Sequence, residues 1–126
     1  MYYFAKTLAD GFEEVVAATR QALAAEGFGV ISEIDVQAVL KAKLGVEFRP
    51  YLILGACNPA MAHQALLSED KIGTMLPCNV VVQALEDGVE VAAVDPAASM
   101  SAIDNPRLRE VAAAVGQKLQ AVIAGL

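Results

Sequence analysis

The alternation of apolar and polar residues along the chain predicts five strands and four helices. Apolar or alternating stretches rich in β-branched and aromatic residues are typical of strands, and they cover residues 2–7, 28–34, 51–56, 77–85 and 89–95. Apolar residues spaced three and four apart are typical of helices, and they mark residues 10–27, 35–45, 58–67 and 105–126. For part of residues 35–45 a strand is the competing interpretation, but the Ala and Lys content favours a helix. The predicted order is therefore β-α-β-α-β-α-β-β-α.

Capping and turn residues support these boundaries. Asp10 is placed to cap the first helix, with Glu13 three residues later as its capping-box partner. Asn58 can cap the third helix, and Pro59 suits the first helical position because its missing N–H would be unpaired there. The turn residues 86–88 (Glu-Asp-Gly) predict a hairpin between the last two strands.

The order of elements favours an α+β fold in a single compact domain that covers residues 1–126. We expect a roughly five-stranded mixed sheet with helices mainly on one face. A doubly wound parallel sheet is the alternative, but the hairpin and the short second helix count against it.

The composition adds an expectation about assembly. The chain is 56% apolar and 19% charged, and its mean hydropathy is +0.48. No apolar run approaches the ~20 residues that a membrane span requires. Because monomers rarely expose large apolar patches, part of the apolar surplus predicts a subunit interface, and hence a homo-oligomer.

The charge and the N-terminal residues exclude several classes of protein. A net charge of −6, with scattered basic residues, argues against binding to nucleic acid or to anionic membranes. Residues 1–6 lack the features of a signal peptide, so a cytoplasmic location is expected. Two cysteines in that compartment are expected to be reduced.

Cys57 and Asn58 form the first part of the candidate site. Cys57 lies where a predicted strand ends and a helix begins, and the positive end of the helix dipole would favour a thiolate there. Packing of Cys57 as a small apolar residue at the corner is the alternative. Capping explains Asn58 before any ligand is invoked.

Cys78 and Asn79 form the second part. Strand alternation places Cys78 on the face that carries Val80 and Val82, so it is expected to be buried and inert, whereas Asn79 faces the other, more polar side. If the strands that end at Cys57 and begin at Cys78 are antiparallel neighbours, the two cysteines share one end of the sheet. A parallel pair would separate them by about a strand length, and the sequence leaves both arrangements open.

His63 is the single histidine, and it falls on the predicted third helix. A surface or half-buried position is its simplest interpretation. A metal site would require Cys57, His63 and Cys78 to converge, and without a CxxC motif this signal is weak. The sequence shows no glycine-rich phosphate loop, no paired acid and base, and no nucleophile elbow, which argues against nucleotide binding and hydrolysis.

Two motifs carry a resemblance to a known family. They are residues 53–59 (Ile-Leu-Gly-Ala-Cys-Asn-Pro) and 76–82 (Leu-Pro-Cys-Asn-Val-Val-Val). Further matching positions are Gly11 to Glu14, Ala62-His63, Ala65-Leu66, Ile72-Gly73 and Val94-Asp95-Pro96. Together they resemble the bacterial and archaeal domain of unknown function family 302 over essentially the whole chain. The resemblance implies a small α+β domain that tends to be a homodimer, and it implies no activity.

The family motifs contain Cys57, Asn58, Cys78 and Asn79, whereas His63 is a weaker match. Two functions follow as hypotheses. The first is a dimeric binding or interaction module without catalysis, whose cysteine motifs are structural or line a small pocket. The second is a thiol-based function through Cys57, in redox chemistry, sulfur handling, or binding of a soft metal or haem iron.

Overall fold

The computed structural model describes all 126 residues and contains one five-stranded sheet with helices packed against it. The strands are β1 (Tyr3–Leu8), β2 (Gly29–Asp35), β3 (Tyr51–Cys57), β4 (Cys78–Leu85) and β5 (Gly88–Val94). The helices are α1 (Phe12–Ala25), α2 (Val36–Leu44), α3 (Pro59–Ser68), α4 (Pro96–Ser99) and α5 (Pro106–Ala124), and a 3-10 helix spans Ile72–Met75. The predicted α+β fold is confirmed. None of the helices combines the length and hydropathy that a membrane span requires.

The strand order is β1-β5-β4-β3-β2, and every neighbouring pair is antiparallel. The expectation of a mixed sheet was therefore wrong in this detail. The crossover from β1 through α1 to β2 would make a parallel pair only if these strands were neighbours. Instead they lie at opposite edges of the sheet, with three strands between them.

The core lies on one face of the sheet, as strand alternation predicts. Leu54, Val80 and Val91 are fully buried there, and α1 and α5 pack over this region. Complete burial of such a side chain contributes about 1.5–3 kcal/mol relative to an exposed one. The buried apolar residues of the protein form two clusters, a main one and a smaller one. The opposite face of the sheet, here called the outer face, carries five half-buried or exposed residues that belong to neither cluster. They are Tyr3, Ala5, Tyr51, Ile53 and Val81.

Most helix starts match their sequence signals. The Asn58 side chain accepts a hydrogen bond from the Met61 amide, which confirms it as the cap of α3. The Asp10 capping box is wrong, because α1 begins at Phe12 with Gly11 as the capping residue and no side-chain bond. Asp10 lies one residue too early for the cap. The short helix α4 adds a fifth helix to the predicted four, and Asp95 caps it.

Candidate functional site

The two cysteines lie at the same end of the sheet. Strands β3 and β4 are antiparallel neighbours, and Ala56 stands directly opposite Cys78 in their register. Cys57, the next residue, pairs with Gly29 on the other side of β3. The chain therefore leaves β3 and enters β4 at the same end of the sheet. The sequence allowed either a parallel or an antiparallel pair, and the structure has the antiparallel pair.

Cys78 is buried among apolar side chains. It is 7% exposed and belongs to the main core cluster, on the same face as Val80 and Val82, as predicted. Burial raises the pKa of its thiol from 9.0 to about 11, and electrostatic repulsion from the neighbouring Cys57 side chain adds to the rise. The thiol of Cys78 therefore stays protonated at neutral pH and is a poor nucleophile.

Cys57 is the more accessible of the two thiols. It is partly buried, ends β3, and directly precedes the capped start of α3. The Asn58 Oδ1 to Met61 N hydrogen bond of 3.3 Å fixes the first turn of α3 beside it. This cap holds Cys57 at the junction of sheet and helix.

Both cysteines line one cavity of about 290 Å³. Its walls are the end of the sheet, α3, the segment before β4, and one face of α5. Eighteen residues line it, of which fifteen are hydrophobic. They are Phe28, Ile31, Ala56, Cys57, Asn58, Met61, Ala62, Ala65, Leu66, Leu76, Pro77, Cys78, Pro96, Met100, Leu108, Val111, Ala112 and Val115. No charged side chain is among them, so the cavity is suited to a neutral, mainly apolar group.

A close backbone approach shapes the sheet next to this cavity. A Cβ atom at Gly55 would lie 2.7 Å from Cγ of Pro77 and would also overlap the Ser32 hydroxyl. Only glycine leaves room for both neighbours at this position. Gly55 thus allows Pro77, and with it the start of β4 at Cys78, to pack against β3.

The remaining two candidate residues lie elsewhere. His63 is exposed on α3 and does not line the cavity. Asn79 is exposed on the outer face, where it borders a shallow groove with Tyr51 and Glu90. No group of three His, Cys, Asp or Glu side chains lies close enough together to hold a metal ion. The structure thus brings together Cys57, Asn58 and Cys78, and it leaves out His63 and Asn79.

Several cavity residues were not singled out as site residues from the sequence. The apolar residues of α5 repeat at helical spacing in the sequence, and this stripe, which includes Leu108 and Val115, forms one wall of the cavity. Met61 and Met100 also line the cavity. Met100 follows α4, a helix absent from the predicted order, so no periodic signal could have placed it.

Comparisons with known proteins agree with this architecture. A crystal structure of an uncharacterized conserved protein DUF302 from Bacillus stearothermophilus superposes with a TM-score of 0.91. The two are 29% identical, and the match covers 98% of this chain and 97% of that chain. None of the curated proteins compared with the chain matches it. The sequence profile of the family "Domain of unknown function DUF302" matches residues 4–126. Through this match over nearly its full length, the chain belongs to the family of domains of unknown function DUF302.

Proposed function

We propose that this protein is a dimeric binding module that holds a neutral, mainly apolar small molecule in the cavity beside Cys57 and Cys78. The observation that carries the proposal is the cavity itself, with fifteen hydrophobic residues among eighteen and no charged side chain. A hard ion such as Mg²⁺ or phosphate would lose its hydration there without gaining a charged partner, whereas an apolar group gains from leaving water.

The volume of the cavity limits the size of the ligand. An apolar cavity of about 150 Å³ in another protein binds benzene, and small-molecule pockets span about 300–1,000 Å³. At about 290 Å³ this cavity lies at the lower end of that range. It therefore suits a molecule of two or three aromatic rings rather than a large cofactor.

A neutral fluorescent probe tests this proposal. N-phenyl-1-naphthylamine is expected to bind the wild-type protein with an increase in fluorescence. Ala62→Phe fills the cavity from α3 and is expected to abolish the increase, whereas Ala113→Phe on the exposed side of α5 keeps it. Absence of binding to the wild type, or equal binding to both variants, would contradict the proposal.

The second part of the proposal is that two copies associate through the outer face. Tyr51, Ile53 and Val81 lie on that face outside both core clusters. Each is partly exposed to solvent in the single chain, so a second copy could bury it further. Burial of this apolar surface by a second copy would account for the high mean hydropathy of +0.48. The resemblance to the family implies a homodimer and points in the same direction.

A thiol-based function in the cytoplasm is the second candidate. The adjacency of Cys57 to Cys78 favours it, since both thiols are free and line one cavity. Catalysis would depend on Cys57, because the raised pKa of Cys78 keeps that thiol protonated. Alkylation of intact protein, followed by mass spectrometry across pH, tests it. Rapid reaction of Cys57 at neutral pH would support this candidate, and reaction only after denaturation would rule it out.

A further inference from the structure

The cavity is unusually rich in sulfur. The chain contains two cysteines and four methionines, and Cys57, Cys78, Met61 and Met100 all line this single cavity. Four of six sulfur atoms thus belong to side chains that line one cavity, although its walls comprise only 18 of the 126 residues. Apolarity alone does not require this enrichment, because Leu, Val and Ala serve equally well as apolar lining.

The local structure brings three of these side chains to the end of the sheet. Cys57 precedes the cap residue Asn58, whose side chain accepts a hydrogen bond from the amide of Met61. Cys78 stands on the neighbouring strand, opposite Ala56. Met100 is buried in a second, smaller apolar cluster and lines the cavity from there. The other members of this cluster are Ala65, Ile72, Leu108 and Ala112. Methionine has three rotatable bonds, so its sulfur can turn toward a bound ion without movement of the backbone.

The chemistry of this donor set selects a class of ion. Thiolate and thioether sulfur are soft ligands that favour Cu(I), whereas Mg²⁺ and Ca²⁺ require oxygen ligands. No carboxylate or imidazole lines the cavity, so the harder divalent ions find no suitable donors there. One thiolate together with a monovalent cation makes a neutral pair, whose desolvation in an apolar cavity costs less than that of an unpaired ion.

We propose that the cavity binds a single Cu(I) ion, with the Cys57 thiolate as the charged ligand and the thioethers of Met61 and Met100 as neutral ligands. The Cys57 S–H bond breaks, the S–Cu bond forms, and the proton passes to solvent. No electron is transferred. The inference uses the same cavity as the proposed function but does not depend on binding of an apolar molecule.

Competition for Cu(I) against bicinchoninate, in the presence of ascorbate as reductant, tests the proposal. The wild type is expected to withdraw one equivalent of Cu(I) and to release one proton. Cys57→Ser is expected to abolish binding. Met61→Leu and Met100→Leu are each expected to weaken it by at least about tenfold, since even loss of an outer-shell partner commonly costs tenfold or more. Met75→Leu is the matched control, because Met75 lies on the 3-10 helix outside the cavity.

Two results would overturn the proposal. One is failure of the wild type to compete for Cu(I). The other is unchanged affinity in both Met61→Leu and Met100→Leu, which would mean that a cysteine alone binds the ion. Binding of N-phenyl-1-naphthylamine by each variant shows whether the cavity is intact. Probe binding by the wild type also separates the two ideas. A wild type that binds the probe but not Cu(I) contradicts only this inference, and a wild type that binds Cu(I) but not the probe contradicts only the apolar ligand.

Discussion

Cys78 shows how burial alone changes the chemistry of a residue. Its thiol lies at the start of a central strand, in contact with the main core, and has no charged partner that could stabilise a thiolate. Its pKa therefore rises to about 11, chiefly through desolvation. Cys57 lies only one position beyond the residue opposite Cys78, yet it remains partly accessible. The division between an inert thiol and an accessible one follows from their places in the fold.

The raised pKa predicts a loss of stability in alkali. Between pH 9 and 11 the unfolded chain has released the Cys78 proton while the folded chain retains it. The unfolded state therefore binds fewer protons, and the free energy of unfolding falls as pH rises, by up to about 3 kcal/mol across this interval. Below pH 9 this contribution is fully present. Urea unfolding at a series of pH values measures it.

Cys78→Val is the control for this effect, because it removes the titrating group and keeps a small apolar side chain in the strand. Relative to this variant, the wild type is expected to lose stability between pH 9 and 11. If the difference in free energy of unfolding between the two proteins stays constant from pH 9 to 11, Cys78 has an ordinary pKa in the folded state.

Gly55 provides a second test at the scale of a single residue. Gly55→Ala introduces a Cβ atom that overlaps Ser32 and the Pro77 ring, and such overpacking typically costs about 1–3 kcal/mol. Gly73→Ala is the matched control, since a Cβ there meets nothing within 4 Å. Chemical denaturation compares the two variants. If Gly55→Ala proves as stable as Gly73→Ala, the close contact between β3 and Pro77 is not tight.

Among the elements, α3 connects local sequence to the cavity. Its start is determined by Asn58 and Pro59, and its inward-facing residues Met61, Ala62 and Ala65 form one wall. Only Ala65 of this helix is fully buried, so little core packing holds α3 in place. The cap is correspondingly important, because a ten-residue helix is marginal without tertiary support.

Asn58→Ala is expected to lower the free energy of unfolding by about 1 kcal/mol, since the amide of Met61 loses its acceptor. It is also expected to weaken binding of the neutral probe, because the first turn of α3 becomes less ordered. Asn58→Asp keeps a capping oxygen and serves as the control. Urea unfolding and probe titration of both variants provide the measurement, and equal stability of Asn58→Ala and Asn58→Asp would argue against a structural role for the cap.

For the whole molecule, the outer face of the sheet determines the expected assembly. Val81→Arg places a charge at the centre of the proposed interface and is expected to convert a dimer into a monomer, since burial of an unpaired charge is costly. Leu67→Arg is the control, because Leu67 is 75% exposed on α3, away from the sheet. Sedimentation velocity distinguishes a monomer from a dimer for each protein. A monomeric wild type, or a dimeric Val81→Arg variant, would reject this interface.

Local chemistry explains which parts of the fold were predictable. The caps at Asp35, Asn58 and Asn105 are formed with amides only three residues away, so their signals are readable in sequence. The capping box at Asp10 was misread, because a shift of one residue is enough to remove the bond. The apolar stripe of α5 was also predictable, since a helix repeats its pattern over many turns.

The sequence by itself determined the α+β class, most element boundaries, the face that buries Cys78 and the corner that holds Cys57, because each depends on neighbours along the chain. Only the tertiary structure decided the antiparallel order of strands, the meeting of the two cysteines and the cavity that they share with Met61 and Met100. These features depend on pairing between residues distant in sequence. Periodicity shows that a strand has a buried face, but it does not show which strand lies beside it.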